Sequence, residues 1–138
     1  MAKPRVLVCE DEYGVRAAIR LVLEQEYELV FAEDGEQALQ RATTEPALDL
    51  ILLDIKMPKR DGLEILKTLM TRPIPPRVIM LTAYQSIEVA QRAIELGAID
   101  YVPKPFERQE LAHAVQRALA LPDWQQPIQT SDDASAEP

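Results

Sequence analysis

Short apolar runs and helix-period segments alternate five times along this chain, and that alternation leaves few folds open. Arg5–Cys9 (RVLVC) reads as a strand that ends against the acids Glu10, Asp11 and Glu12. Val15, Ala18, Ile19, Val22 and Leu23 then recur at helical spacing, which assigns Arg16, Arg20 and Glu24 to the outer face. Tyr27, Leu29 and Phe31 alternate with smaller or polar residues as a half-buried strand. Asp34, with Gln37 three residues on, is placed to cap a helix whose inner face is Ala38, Leu39 and Ala42. Leu50–Leu53 is a third strand, and Asp61-Gly62 opens a helix with Ile65, Leu66 and Leu69 inward. The stiff connection RPIPPR (Arg72 to Arg77) leads to a fourth strand, Val78–Leu81. Ile87, Ala90 and Ile94 mark a fourth helix that Gly97 stops. Ile99–Val102 is the fifth strand, and Leu111, Ala114, Val115, Ala118 and Leu119 mark the fifth helix.

Strands 1, 3 and 4 are apolar on both faces, which requires a parallel sheet covered by helices on both sides. In such sheets the ligand crevice lies beyond the carboxyl ends of the strands, at the switch point of strand order. The unusual polar residues converge there. Glu10 and Asp11 follow strand 1, Asp54 ends strand 3, Thr82 ends strand 4 and Lys104 follows strand 5.

The remaining features set bounds. A chain of 138 residues supports one domain, here residues 1–121. Residues 122–138 are rich in Pro, Ser, Asp and Gln, and read as a flexible acidic tail or interdomain linker. Half of the net charge of −8 falls in that stretch, and the acidic balance argues against direct nucleic-acid binding. No apolar run reaches the ~18 residues of a membrane span. The single cysteine, Cys9, lies within strand 1 and forms no internal disulfide, so a cytoplasmic location is the expectation.

Three carboxylates at one sheet edge repel one another unless a cation joins them. With only oxygen donors present, the set suits a hard cation such as Mg²⁺, which keeps waters for a phosphate to displace. Lys104 and Thr82 could hold the oxygens of a transferred phosphoryl group. A carboxylate can itself be the nucleophile in phosphoryl transfer, and Asp54 is central among these groups.

CEDE (Cys9 to Glu12), DLILLDIKMPKRDG (Asp49 to Gly62), MLTAY (Met80 to Tyr84) and YVPKPF (Tyr101 to Phe106) together resemble the receiver domains of bacterial two-component response regulators. The resemblance spans residues 4 to about 121. It implies a flavodoxin-like (βα)5 doubly wound sheet of five parallel strands in the order 2-1-3-4-5. It implies that Asp54 is phosphorylated by a sensor histidine kinase or phosphotransfer protein. Asp11, Asp54 and the backbone carbonyl of Lys56 would bind Mg²⁺, with Glu10 acting through a water. Lys104 would meet the phosphoryl oxygens, its bond to Pro105 being cis. Thr82 and Tyr101 would form the switch. The fourth helix, fifth strand and fifth helix would present the change to a partner, to a second copy or to a fused effector domain. Such a chain is not an ordinary enzyme, but it would catalyse its own aspartyl phosphorylation and dephosphorylation.

The chain departs from the family pattern at Glu10, where most receivers carry aspartate, and the added C–C bond is ~1.5 Å long. Glu107 is a weaker helix cap than the usual Asp, Ser or Thr, while Glu12, Asp49 and Asp61 read as cap or turn residues. His113 lies off the apolar stripe and reads as solvated, and Lys56, Lys59 and Arg60 form a small basic patch. Rival readings lack their motifs. Neither G-x-G-x-x-G nor G-x-x-x-x-G-K-[ST] occurs. A haloacid dehalogenase-type phosphatase would need an aspartate where Lys56 stands. The remaining alternative is an unphosphorylated pseudo-receiver that serves as a protein-interaction module.

Overall fold

The computed structural model describes residues 3–83 and 87–122. Five strands and five helices alternate: β1 (Arg5–Cys9), α1 (Tyr13–Leu23), β2 (Glu28–Ala32), α2 (Gly35–Thr44), β3 (Leu50–Asp54), α3 (Gly62–Met70), β4 (Val78–Ala83), α4 (Ile87–Leu96), β5 (Asp100–Lys104) and α5 (Arg108–Ala120). The strands form one parallel sheet in the order β2-β1-β3-β4-β5. This is the doubly wound, flavodoxin-like arrangement. Tyr84 of the MLTAY stretch lies outside the described residues, as does the expected tail beyond Pro122.

The three apolar strands sit in the middle of the sheet, as their two-sided hydrophobicity requires. Leu7, Ile51, Leu53, Val78 and Met80 point toward α2, α3 and α4. Val6, Val8, Leu50, Leu52, Ile79 and Leu81 point toward α1 and α5. Burying a Val, Leu or Ile side chain gives roughly 1.5–3 kcal/mol, so this central slab can carry a few unfavourably buried polar groups at its edge. Asp34 caps α2 by accepting from the Gln37 N–H, and Asp61 caps α3 by accepting from the Leu63 N–H. Asp49 Oδ2 accepts from the Arg5 N–H at 2.8 Å and joins the lower ends of β1 and β3.

Several local expectations are corrected. β4 extends to Ala83 and β5 covers Asp100–Lys104, so Thr82 lies one residue before the end of its strand and Lys104 ends β5 rather than following it. Ala18 is exposed, because the buried axis of α1 runs through Ile19 and Leu23. Ile87 and Ile94 are also exposed, since α4 meets the sheet through the small residues Ala90 and Ala93. Glu12 occupies the N-cap position of α1, but its side chain makes no capping bond. Two expectations hold: His113 is exposed, and Cys9 is buried, where desolvation pushes its thiol pKa up.

Candidate acidic phosphoacceptor site

Strand register builds the site. Cys9 pairs with Leu53, Asp54 with Leu81, and Ala83 with Lys104, so the polar residues at the strand ends arrive at one level. β1 makes one further bond, Glu10 N–H to the Ala32 carbonyl at 3.0 Å, and then leaves the sheet. The loop after β3 is held just as tightly. A Cβ on Gly62 would run into the Asp54 carbonyl and lie 2.7 Å from the Ile55 Cα, so only glycine allows the chain to fold back under Asp54.

Glu10 is 0 % exposed and Asp54 3 %, and carboxylate oxygens of Glu10, Asp11 and Asp54 all lie within 4.8 Å of one another. Asp11 itself is exposed. The Lys104 ammonium donates to Glu10 Oε1 at 3.1 Å and to Asp54 Oδ2 at 3.3 Å. The second oxygens accept from backbone: Glu10 Oε2 from the Glu12 N–H at 3.1 Å, and Asp54 Oδ1 from the Lys56 N–H at 3.3 Å. One ammonium and two amides thus serve two buried acids.

Charge balance remains incomplete. Burial, and then the charge of Asp54, pushes the Glu10 carboxyl up to about 7 against the pull of Lys104 and the Glu12 amide. Burial also raises Asp54, with Asp11 adding to it, while Lys104 and the Lys56 amide oppose the rise. Burial alone would lower the Lys104 pKa, but Asp54 and Glu10 outweigh it and the net shift is upward. Among the described residues no ion pair engages Asp11. Hard oxygen donors with surplus negative charge fit a divalent cation.

Thr82 is buried, and among the described residues its hydroxyl donates only to the adjacent Ala83 carbonyl at 3.3 Å, a long bond for a hydroxyl. Tyr101 is half-buried and packs against the core beneath α2, α3 and α4. The Lys104–Pro105 bond is cis. Beside the acids lies a cleft of about 520 Å³ lined by Asp11, Lys56, Met57, Lys59, Arg60 and Asp61. Its basic patch is largely spent. Lys59 pairs with Asp34 at 3.4 Å and Arg60 with Glu36 at 3.4 Å, which leaves Lys56 exposed at the rim.

Residues 6–116 match the family model described as the response regulator receiver domain. The chain belongs to that family. It is therefore a receiver domain of the two-component response regulators. It is 39 % identical over 122 residues to sporulation initiation phosphotransferase F of Bacillus subtilis, covering 88 % of this chain and 98 % of that protein. It is 37 % identical over 132 residues to the transcriptional regulatory protein CpxR of Escherichia coli K12, covering 95 % of this chain but 56 % of CpxR. The structure of the Francisella response regulator 1452 receiver domain superposes with a TM-score of 0.78 at 33 % identity, over 85 % of this chain and 97 % of that one.

Glu10, Asp11, Asp54 and Lys104 are thus brought together, with Thr82 on the neighbouring strand. One contributor escaped the sequence reading. Arg16, assigned to the outer face of α1, turns its guanidinium back onto the carbonyls of Glu10 and Asp11 at 3.0 and 2.9 Å. The signal was present. At about 100° per residue, Arg16 lies nearer the Ile19–Leu23 axis than Val15 or Ala18 does.

Proposed function

We propose that Asp54 is the phosphoacceptor of this receiver and takes its phosphoryl group from a phosphohistidine on a sensor kinase or phosphotransfer protein. The observation that carries this is the Lys104 bridge. It holds one oxygen of a nearly inaccessible carboxylate at a fixed position, beside acids that a single ammonium leaves undercompensated. An oxygen of Asp54 forms the new O–P bond as the P–N bond of the donor breaks, and that electron pair returns to the imidazole nitrogen.

Asp11, Asp54 and the Lys56 carbonyl would hold Mg²⁺, with Glu10 bound through a water. Glu10 suits the outer position because Lys104 and the Glu12 amide hold its oxygens at 3.1 Å, closer than the 3.3 Å bonds to Asp54, while no ion pair engages Asp11 among the described residues. The ion, when bound, neutralises charge that develops on the phosphoryl oxygens. Lys104 exchanges a carboxylate for a phosphoryl oxygen without leaving its place. Thr82 gives up its long bond to Ala83 and donates to the phosphate instead. Tyr101, on the strand next to Thr82's, follows that movement. The same pocket would admit water for self-catalysed dephosphorylation.

The readout face would be α4, β5 and α5, where the exposed Ile87 and Ile94 offer apolar contact to a partner, a second copy or a fused effector. Among the described residues no helix is long and apolar enough to cross a membrane. A cytoplasmic location suits a kinase-fed receiver with one buried thiol. Acetyl phosphate with Mg²⁺ tests the proposal by mass spectrometry. Wild type should gain one acid-stable, base-labile phosphoryl group and Asp54→Asn none. Equal labelling of both would overturn the assignment, and no labelling of wild type would favour the pseudo-receiver.

A further inference from the structure

Arg16 is positioned unlike Arg20, the other basic residue of α1. Its side chain is 16 % exposed, and its guanidinium lies 5.8 Å from the centre of the Tyr13 ring. Nη1 donates to two successive carbonyls, those of Glu10 and Asp11, while Nη2 is 3.9 Å from the Glu33 carboxylate. These carbonyls belong to the two residues whose carboxylates face Asp54. Glu10 is also the last residue of this segment tied to β2, through its N–H and the Ala32 carbonyl.

We propose that Arg16 is a positioning residue for the acidic pocket: by gripping the Glu10 and Asp11 carbonyls it fixes the β1–α1 loop, so that both carboxylates are held facing Asp54. The inference rests on the reading of Glu10, Asp11 and Asp54 as a divalent-cation site. Without such a grip, the loop relieves the repulsion among the acids by swinging Asp11 outward, because that carboxylate is exposed and no ion pair holds it among the described residues. Bonds from a charged donor resist the swing better than neutral ones, and the planar guanidinium loses little freedom in making them. The ion can then be met by acids already in place, rather than having to gather them.

A purely electrostatic role predicts the opposite result. A cation close to a cation site weakens metal binding, so removing it would tighten Mg²⁺. Positioning predicts that removal weakens it. Mg²⁺ titrations of the full chain, followed by amide NMR, separate the two. Arg16→Ala should raise the Mg²⁺ dissociation constant about tenfold, the size seen when residues that orient metal ligands are removed. Arg16→Lys keeps the charge but loses the fork, and should also bind more weakly than wild type. The Glu12 amide, which donates to Glu10 Oε2, gives a readout without metal. Its resonance should move toward the random-coil position in Arg16→Ala, while amides in the middle of β3 stay in place. Tighter Mg²⁺ binding by Arg16→Ala, or a lysine variant equal to wild type, overturns the proposal. If wild type binds no Mg²⁺, the cation reading fails, and the Glu12 amide alone decides: a shift supports positioning and its absence overturns it.

Discussion

The Lys104 ammonium sits 3.1 Å from Glu10 Oε1, joining the end of β5 to the end of β1 across the two strands between them. The same ammonium reaches Asp54 on β3 at 3.3 Å, so one cation ties three strand ends together. If Asp54 takes up a phosphoryl group as proposed, the resting balance of charge at this junction sets what the added charge must overcome.

That balance predicts a pH dependence. The Glu10 carboxyl stands at about 7 in the folded chain, raised by burial and by Asp54, against about 4.3 for an unperturbed glutamate. Between those values the folded state holds a proton that the unfolded state has released, so stability falls as pH rises through the window. Each pH unit there costs up to about 1.4 kcal/mol. Urea unfolding without metal should give a higher midpoint at pH 5 than at pH 7.5, and Glu10→Gln should flatten the difference. A midpoint that rises across this range would reverse the sign of the Glu10 shift.

Metal affinity should distinguish the first two acids after β1. Asp11 is exposed and without an ion pair among the described residues, whereas Glu10 has both oxygens committed. Asp11→Asn should therefore weaken Mg²⁺ tenfold or more, a change of about 1.4 kcal/mol, and Glu10→Gln should weaken it less. Calorimetric titration of the two variants ranks them. A larger loss in Glu10→Gln would exchange their roles.

The sheet and the strand-end acids were legible in the sequence, because a run such as Leu50–Leu53 ending in Asp54 admits few other placements. Helix faces were less legible. Ile87 and Ile94 look inward by composition, yet Ala90 and Ala93 win the contact because small residues let α4 approach the sheet closely. Arg16 was hidden by its charge: a guanidinium reads as solvated until the loop carbonyls it serves are seen beside it. Lys59 and Arg60 were visible as a basic patch, but their partners Asp34 and Glu36 lie on α2 and come together with them only in three dimensions.

Removing the bridging charge should cost stability in a pH-dependent way. Lys104→Met keeps the aliphatic stem and deletes only the ammonium, which leaves Glu10 and Asp54 facing each other. Breaking a buried pair costs roughly 3–5 kcal/mol; the Lys104 side chain is 20 % exposed, so the loss should sit at or below the lower figure. The loss should be largest near pH 8 and smaller near pH 5, where Glu10 holds a proton. Saturating Mg²⁺ should restore part of it by binding only the folded state. A variant as stable as wild type at pH 8 would mean that the acids protonate or hydrate without difficulty.

Gly62→Ala should damage the site from below. Alanine at the first position of a helix ordinarily stabilises it relative to glycine, by up to about 1 kcal/mol. Here the new methyl group meets the carbonyl of Asp54 and the Cα of Ile55, and backbone atoms cannot rotate away. The bond from the Gly62 N–H to the Ile55 carbonyl, 2.8 Å long, would have to lengthen as the loop shifts. Overpacking of this kind costs about 1–3 kcal/mol, which exceeds the helical gain. The shift would also carry the Lys56 amide away from Asp54 Oδ1, so Mg²⁺ affinity and acetyl phosphate labelling should fall together with the unfolding midpoint. Gly14→Ala, at a position where a Cβ meets nothing within 4 Å, is the control and should be neutral or slightly stabilising. If Gly62→Ala matched that control in stability and in labelling, the close approach under Asp54 would not be holding that carboxylate in place.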